Sequence, residues 1–584
     1  MRLRGPCLAV LSFVAAVTLG QAQSLSADGA AQTFNTVANQ YFDEVYFHFQ
    51  PTAATAAGLH AHDAELEDYS AANVAKWTAA LRGVLSRLEA IPADGLDAPI
   101  AADREILMNS VRSSLLSLDT IRMWEKNPDM YSSGVTGAVF SLIERPFAPL
   151  NTRLRNVVSR EKAIPAALQA ARRTLKNPPR IYTEIALEQI DGSIHFFQND
   201  VPLALADATD AGAKADFLKA NAAVVDALKS YAAWMKTDLL PQSAGEFRFG
   251  TDIYRKKLLY DEMVDTPLER LLEVNAANMK ANQAEFARVA KEVNPAKSAT
   301  EVLAELGTIH PAPDKLLDAF RDSFQAEIGF IQQRKIVTLP SNVRPVLEET
   351  PPFMRATTSA SMDPPGPFET GSNKAYLNVP LAEKGWTAEH VAEHMAEFNV
   401  GTIVSTSVHE AFPGHFVQFL WQDQFPSRVR KLLGAATNIE GWAHYCEQMM
   451  LDEGFQPPNA DAREQKLIRL GQLQDALLRN ARFVVGIKMH TEGWTLQQAE
   501  DFFVKEGYQS PSVAKMETKR GTADATYLYY TLGKLEILKL REDLRAKQGA
   551  SFQLGQFHDA LMRQGPVPLR IVRQSMLHDG SPVL

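Results

Sequence analysis

The sequence predicts a mostly α-helical protein with a small central β-sheet. Three observations lead there. Apolar residues recur at three- and four-residue steps through most of the 584 positions. Two-residue alternation is confined to a short stretch in the middle of the chain. The composition, 46% hydrophobic and 22% charged, is that of a globular protein able to bury a large core without covalent staples.

The elements follow in chain order. Arg2 and Arg4 precede an apolar run over 7–20, and Gly20-Gln21-Ala22 supplies a small-x-small cleavage pattern. The run is shorter than the about 20 residues a spanning helix needs. Residues 1–22 therefore read as a signal peptide, which makes the protein exported, periplasmic or secreted, with no membrane anchor after processing. Cys7 opens the apolar run rather than closing it, unlike a lipid-attachment cysteine. The only other cysteine is Cys446, so an internal disulfide and a Cys-rich zinc site are both excluded for the processed chain.

Helical periodicity then fills a region over 23–334, clearest at 34–49, 74–90, 100–124, 154–175, 217–235, 268–293 and 314–333. Strands are expected at 335–339, 343–347 and 375–380. Pro351, Pro352, Pro364, Pro365 and Pro367 mark an irregular connection among them. Helices resume at 387–408, 409–424, 428–450, 463–491, 496–506 and 523–547, so 335–584 joins the sheet to a second helical region. The net charge of −9 and the absence of a basic stripe with interleaved aromatics argue against a nucleic-acid partner.

Any metal must therefore be held by His, Asp or Glu. Ser407-Val408-His409-Glu410-Ala411-Phe412-Pro413-Gly414-His415 places two imidazoles and a carboxylate within seven residues. Neutral imidazoles can hold zinc while a neighbouring carboxylate takes a proton from water. In H-E-x-x-H the two histidines sit about 40° apart on a helix. Here the six-residue step leaves them about 120° apart, so a regular helix cannot chelate with them. Pro413 and Gly414 offer a break that could turn His415 back toward His409. Upstream, His390-Val391-Ala392-Glu393-His394 matches the inverted H-x-x-E-H pattern with its histidines correctly four apart. Spacing alone leaves both pairs open.

A third ligand is needed. Glu440, His444 and Glu447 share one helical face beside apolar Ala443, Cys446 and Met450. Near the C-terminus, Arg520, Tyr527, Tyr529 and Tyr530 carry groups that can stabilise an oxyanion or bind a carboxylate.

The run H-E-A-F-P-G-H-F-V-Q (409–418), with E-G-W-A-H-Y-C-E (440–447) and the later Tyr530-Thr531-Leu532-Gly533 and Leu540-Arg541, resembles the bacterial domain of unknown function 885 family. Asn399 and the stretch Arg482…His490…Gly493-Trp494 fit the same pattern. That family is grouped with zinc metallopeptidases of the Glu-ligand type. The resemblance implies a two-lobed helical body around a deep channel, acting on short peptides. It implies zinc held by His409, His415 and Glu440, Glu410 as general base, and Tyr530 as oxyanion donor. It leaves Arg520, His490, Asn399, His444 and Glu447 as residues behind the ligands or on the substrate side. His444 stands where the family usually has an apolar residue, and Gly486 and Lys488 replace a common Asp and Gly before His490. A reading from another class is a helical periplasmic binding protein, or one with a closed structural zinc site.

Overall fold

The computed structural model describes residues 27–351, 360–458 and 460–584, and the expected signal peptide lies outside them. Helix makes up 72% of the structure. In the first half, α1 (Leu150–Thr174), α2 (Arg180–His195) and α3 (Ala211–Trp234) enclose an apolar core that includes Leu154, Val157, Ile164, Val224 and Leu228. The long helix α4 (Leu268–Val293) and α5 (Leu316–Arg334) follow.

Three short strands come next: β1 (Val346–Glu349), β2 (Ser361–Asp363) and β3 (Tyr376–Val379), in the order β1-β3-β2. β1 pairs with β3 in parallel, Leu347 opposite Leu377, and β2 pairs with β3 antiparallel, Met362 opposite Leu377. All four β3 residues are buried, whereas β2 is an edge strand.

The second helical region holds α6 (Val400–Glu410), α7 (His415–Leu420), α8 (Ala436–Asp452), α9 (Ala462–Thr491), α10 (Pro511–Ala523) and α11 (Tyr529–Gln548). The largest core draws on both ends of the chain, from Phe34, Phe42 and Trp77 to Trp421, Phe557 and Leu569. A smaller core joins Met279 and Phe286 on α4 to Leu467 and Leu470 on α9. Burial therefore ties the region before residue 335 to the region after it, and α9 is the shared element.

Departures from the sequence reading have local causes. Residues 335–339 are not a strand. Lys335 ends α5 in the left-handed region at φ 52°. The backbone beyond it is satisfied by side chains: His558 Nδ1 donates to the Ile336 carbonyl, Trp421 Nε1 to that of Thr338, and the Thr338 amide to Asp559. The expected helix over 387–408 is two helices, because Asn399 accepts from the Gly401 and Thr402 amides and caps α6. β2, three residues long, is too short for an alternating pattern to register.

The packing also buries acids that lack a cation. Glu161 accepts from Asn221, and Glu327 from Ser323 and Ser407. Burial pushes Glu161, Glu327 and Glu536 each up to about 8. The folded protein then holds protons that the unfolded chain has released, so stability falls as pH rises from about 4.5 to about 8. Each fully titrating group contributes up to about 1.4 kcal/mol per pH unit. Denaturant midpoints at pH 5, 6.5 and 8 should decline in that order, and Glu161→Gln should flatten the decline.

Candidate metal centre

The centre is built around the end of α6. The Ala411 and Phe412 amides both donate to the Ser407 carbonyl, and the Gly414 amide donates to Val408. The chain then starts α7 at His415. A Cβ on Gly414 would fall 1.8 Å from the His409 carbonyl oxygen, so only glycine fits this close return. Trp442 on α8 fastens the turn, its Nε1 donating to the Pro413 carbonyl at 2.9 Å. The result brings the His409 and His415 rings to 4.8 Å between centroids, nearly perpendicular.

Helix α8 supplies the third group. Glu440 Oε2 lies 3.3 Å from Nε2 of His409 and 3.3 Å from Nε2 of His415. This oxygen is buried and has no hydrogen-bond partner. In a tetrahedral zinc site with bonds of about 2.0–2.1 Å, neighbouring ligand atoms stand about 3.3–3.4 Å apart. The two nitrogen-to-oxygen distances match that spacing. Burial would raise the Glu440 carboxyl, but His415 and His409 hold it well below the usual carboxylate range.

Glu447, two turns further along α8, braces the set. Its Oε1 accepts from His409 Nδ1 at 2.7 Å and from Arg479 at 3.0 Å, and its Oε2 accepts from His444 Nδ1 at 3.1 Å. With Nδ1 donating to Glu447, Nε2 is the His409 ring atom that faces Glu440. Burial disfavours charge on His409, yet the Glu440 and Glu447 carboxylates outweigh it and push the imidazole up to about 9. His444 is pushed the other way, to about 3, by burial and by Lys534. It stands behind Glu447 as a neutral ring. Nδ1 of His415 is buried without a partner, so only one of the two imidazoles is braced.

Glu410 is partly exposed, and its Oε2 accepts the Met362 amide of β2 at 3.0 Å. One atom from each of His409, Glu410 and His415 falls within a 4.8 Å cluster. Tyr530 packs 6.3 Å from the His409 ring and accepts a hydrogen bond from Arg520 Nη2 at 3.1 Å. These groups line one cavity of about 1000 Å³, to which α2, α9 and α10 also contribute.

α8 and α11 approach most closely at two glycines. A Cβ on Gly441 would lie 2.5 Å from Gly533 Cα, and one on Gly533 would lie 1.7 Å from the Thr437 carbonyl oxygen. That crossing places Glu440 and Tyr530 on the same cavity.

Not every sequence candidate arrives there. Asn399 is the α6 cap, and His490 donates to or accepts from nothing in the cavity: its Nε2 meets the Gly521 carbonyl, among Phe247, Phe249 and Tyr254. The inverted motif does not converge either. His390 stacks on Trp386, and His394 Nε2 meets the Pro380 carbonyl. Sequence reasoning missed Asp475 and Arg479, which line the cavity with Arg482 at steps of four and three along α9. Three charges at helical spacing in an apolar helix were the available signal. The Met362 amide carries none.

Fold and geometry together define a mostly helical protein with a buried His-His-Glu centre opening on a large cavity. The chain belongs to the DUF885 family, described as bacterial protein of unknown function, which matches residues 51–576. It is similar to a solved structure described as "a putative lipoprotein of unknown function from Shewanella oneidensis", 27% identical, with a TM-score of 0.76 over 93% of this chain and 99% of that one. A second, described as "the putative lipoprotein from Colwellia psychrerythraea", is 17% identical with a TM-score of 0.72 over 95% of this chain and 99% of that one, and shares the fold. No curated protein matches the chain.

Two measurements test the build of the centre. Glu447→Gln, which weakens the brace on one imidazole, should lower zinc affinity by about 10–100-fold in competition with a chelator. Gly533→Ala should force α11 off α8, lowering stability by roughly 1–3 kcal/mol in denaturant titration.

Proposed function

We propose that the protein is an exported zinc metallopeptidase hydrolysing short peptides. The observation that carries this reading is the orphaned Glu440 Oε2 at 3.3 Å from two imidazole nitrogens, in a cavity that also holds Glu410 and Tyr530. His409, His415 and Glu440 would hold zinc. When bound, the ion acts as a Lewis acid and makes water nucleophilic near neutral pH.

The remaining roles belong to the chain. Glu410 has one oxygen fixed by Met362 and its other oxygen free to take a proton from the attacking water and return it to the leaving amine. Tyr530 accepts from Arg520 and keeps its own O–H proton to donate to the oxyanion. A cavity of about 1000 Å³ admits a short peptide rather than a folded protein.

A closed structural zinc site would need a fourth protein ligand. His444, the sequence candidate, bonds to the far oxygen of Glu447 instead. The lipoprotein descriptions of the two similar structures support export, and no helix among the described residues is long and apolar enough to cross a membrane.

Glu410→Gln should retain one zinc per chain by metal analysis while losing about 10²–10⁴ in kcat on a peptide library. Turnover preserved in that variant would remove Glu410 from the role given to it.

A further inference from the structure

The proposed hydrolase reading leaves open where along a peptide the bond is cut, and the wall facing the centre bears on that. Besides Glu517, which is paired to Arg482, helix α10 lines the cavity with Ser512, Lys515, Met516, Lys519, Arg520 and Ala523. These positions are three, four, seven, eight and eleven residues on from the first, so they form one continuous helical face. Three of the six are cations.

Their partners leave cationic capacity over. Lys519 pairs with Glu188 of α2 at 2.6 Å. Arg520 meets Asp524 at 3.3 Å and Tyr530 at 3.1 Å, and both contacts use Nη2. Its Nη1 and Nε have no partner among the described residues, and its side chain is 35% exposed. Lys515 is exposed and has no ion pair among the described residues. The neighbouring cations are accounted for: Arg482 is taken up by both oxygens of Glu517, and Arg479 by Glu447.

Distance fixes what an anion there would be. An oxyanion accepts from the Tyr530 O–H at about 2.7 Å. Arg520 Nη2 is 3.1 Å beyond that hydroxyl. The guanidinium is thus within about 6 Å of the reacting carbonyl, the distance at which the next residue ends when it is the last in the chain. Lys515, five residues earlier on α10, lies about 7.5 Å from Arg520 along the helix axis.

We propose that Arg520 and Lys515 bind the C-terminal carboxylate of the substrate, so that the enzyme releases one or two residues from peptide C-termini. A guanidinium with a free edge suits a carboxylate bidentately, and the lysine acts as a point charge for the longer leaving segment. The proposal rests on the hydrolase reading for its chemistry but not for its binding test.

Two arms test it. In the first, the zinc-loaded protein is given a tetrapeptide library as free acids and the same library amidated at the C-terminus. Free acids should be cleaved about 10–100-fold faster in kcat/KM. Arg520→Gln should collapse that ratio, and Arg520→Lys should restore part of it. In the second, Glu410→Gln loaded with zinc is titrated calorimetrically with both libraries, and acids should bind about 10–100-fold more tightly. Equal binding of acid and amide, no binding of either, or discrimination set by an internal glutamate against glutamine would overturn the proposal. Absence of cleavage by the unaltered protein, with acid-selective binding in the second arm, would instead count against the hydrolase reading alone.

Discussion

Two imidazole nitrogens, of His409 and His415, each stand 3.3 Å from one buried carboxylate oxygen of Glu440. Lone pairs so close repel, and burial removes the water that would screen them. Such an arrangement persists only with positive charge among the three atoms. A proton on His409 supplies it in part, which is why that ring is pushed up to about 9 despite burial. A divalent cation bound there would supply the rest. Arg479 completes the balance from behind by pairing with Glu447, so the second buried carboxylate does not add to the demand.

The surrounding helices serve that convergence. A continuous helix from Val400 onward would carry His415 to the wrong side. The return at Gly414, fastened by Trp442, restores it at the expense of backbone hydrogen bonds that the Ser407 and Val408 carbonyls then recover. The same helix α8 holds Glu440, Trp442 and Glu447, so ligand, fastener and brace move as one piece. Gln418 on α7 donates to Asn438 on α8, a further tie between the two helices that carry the centre. Tyr445, on the opposite face of α8, meets His558 and Arg541 and anchors the helix to the C-terminal part of the core.

Much of this was legible in the residues. The long helices declared themselves by period, and the Pro413-Gly414 step announced a break where spacing required one. The shared face of Glu440, His444 and Glu447 emerged from the helical wheel. What could not be read was which polar atom would be left without a partner. Glu447 and Glu440 are equivalent by pattern, and only packing shows that one meets three donors and the other none. At the level of residue type, the Asn399 cap and the His490 ring buried among aromatics look identical to site residues. Residues 335–339 failed as a strand for a related reason. Their alternation was real, yet their backbone groups found side chains rather than a neighbouring strand.

The centre also separates two oxygen-bearing groups by what faces them. Burial and the Glu440 carboxylate raise the Tyr530 phenol, against the lowering effect of Arg520 and Arg482. A phenol held above its ordinary range stays protonated near neutral pH, and only a protonated phenol can donate a hydrogen bond. Glu410 is the contrasting case. It is partly exposed, and the Met362 amide donates to its Oε2. The three guanidiniums packed within 5.8 Å of the Tyr530 ring fix its plane without taking its proton, because arginine only donates. A donor on one side and an acceptor on the other, with the His-His-Glu cluster between them, is the arrangement the proposed hydrolase would use.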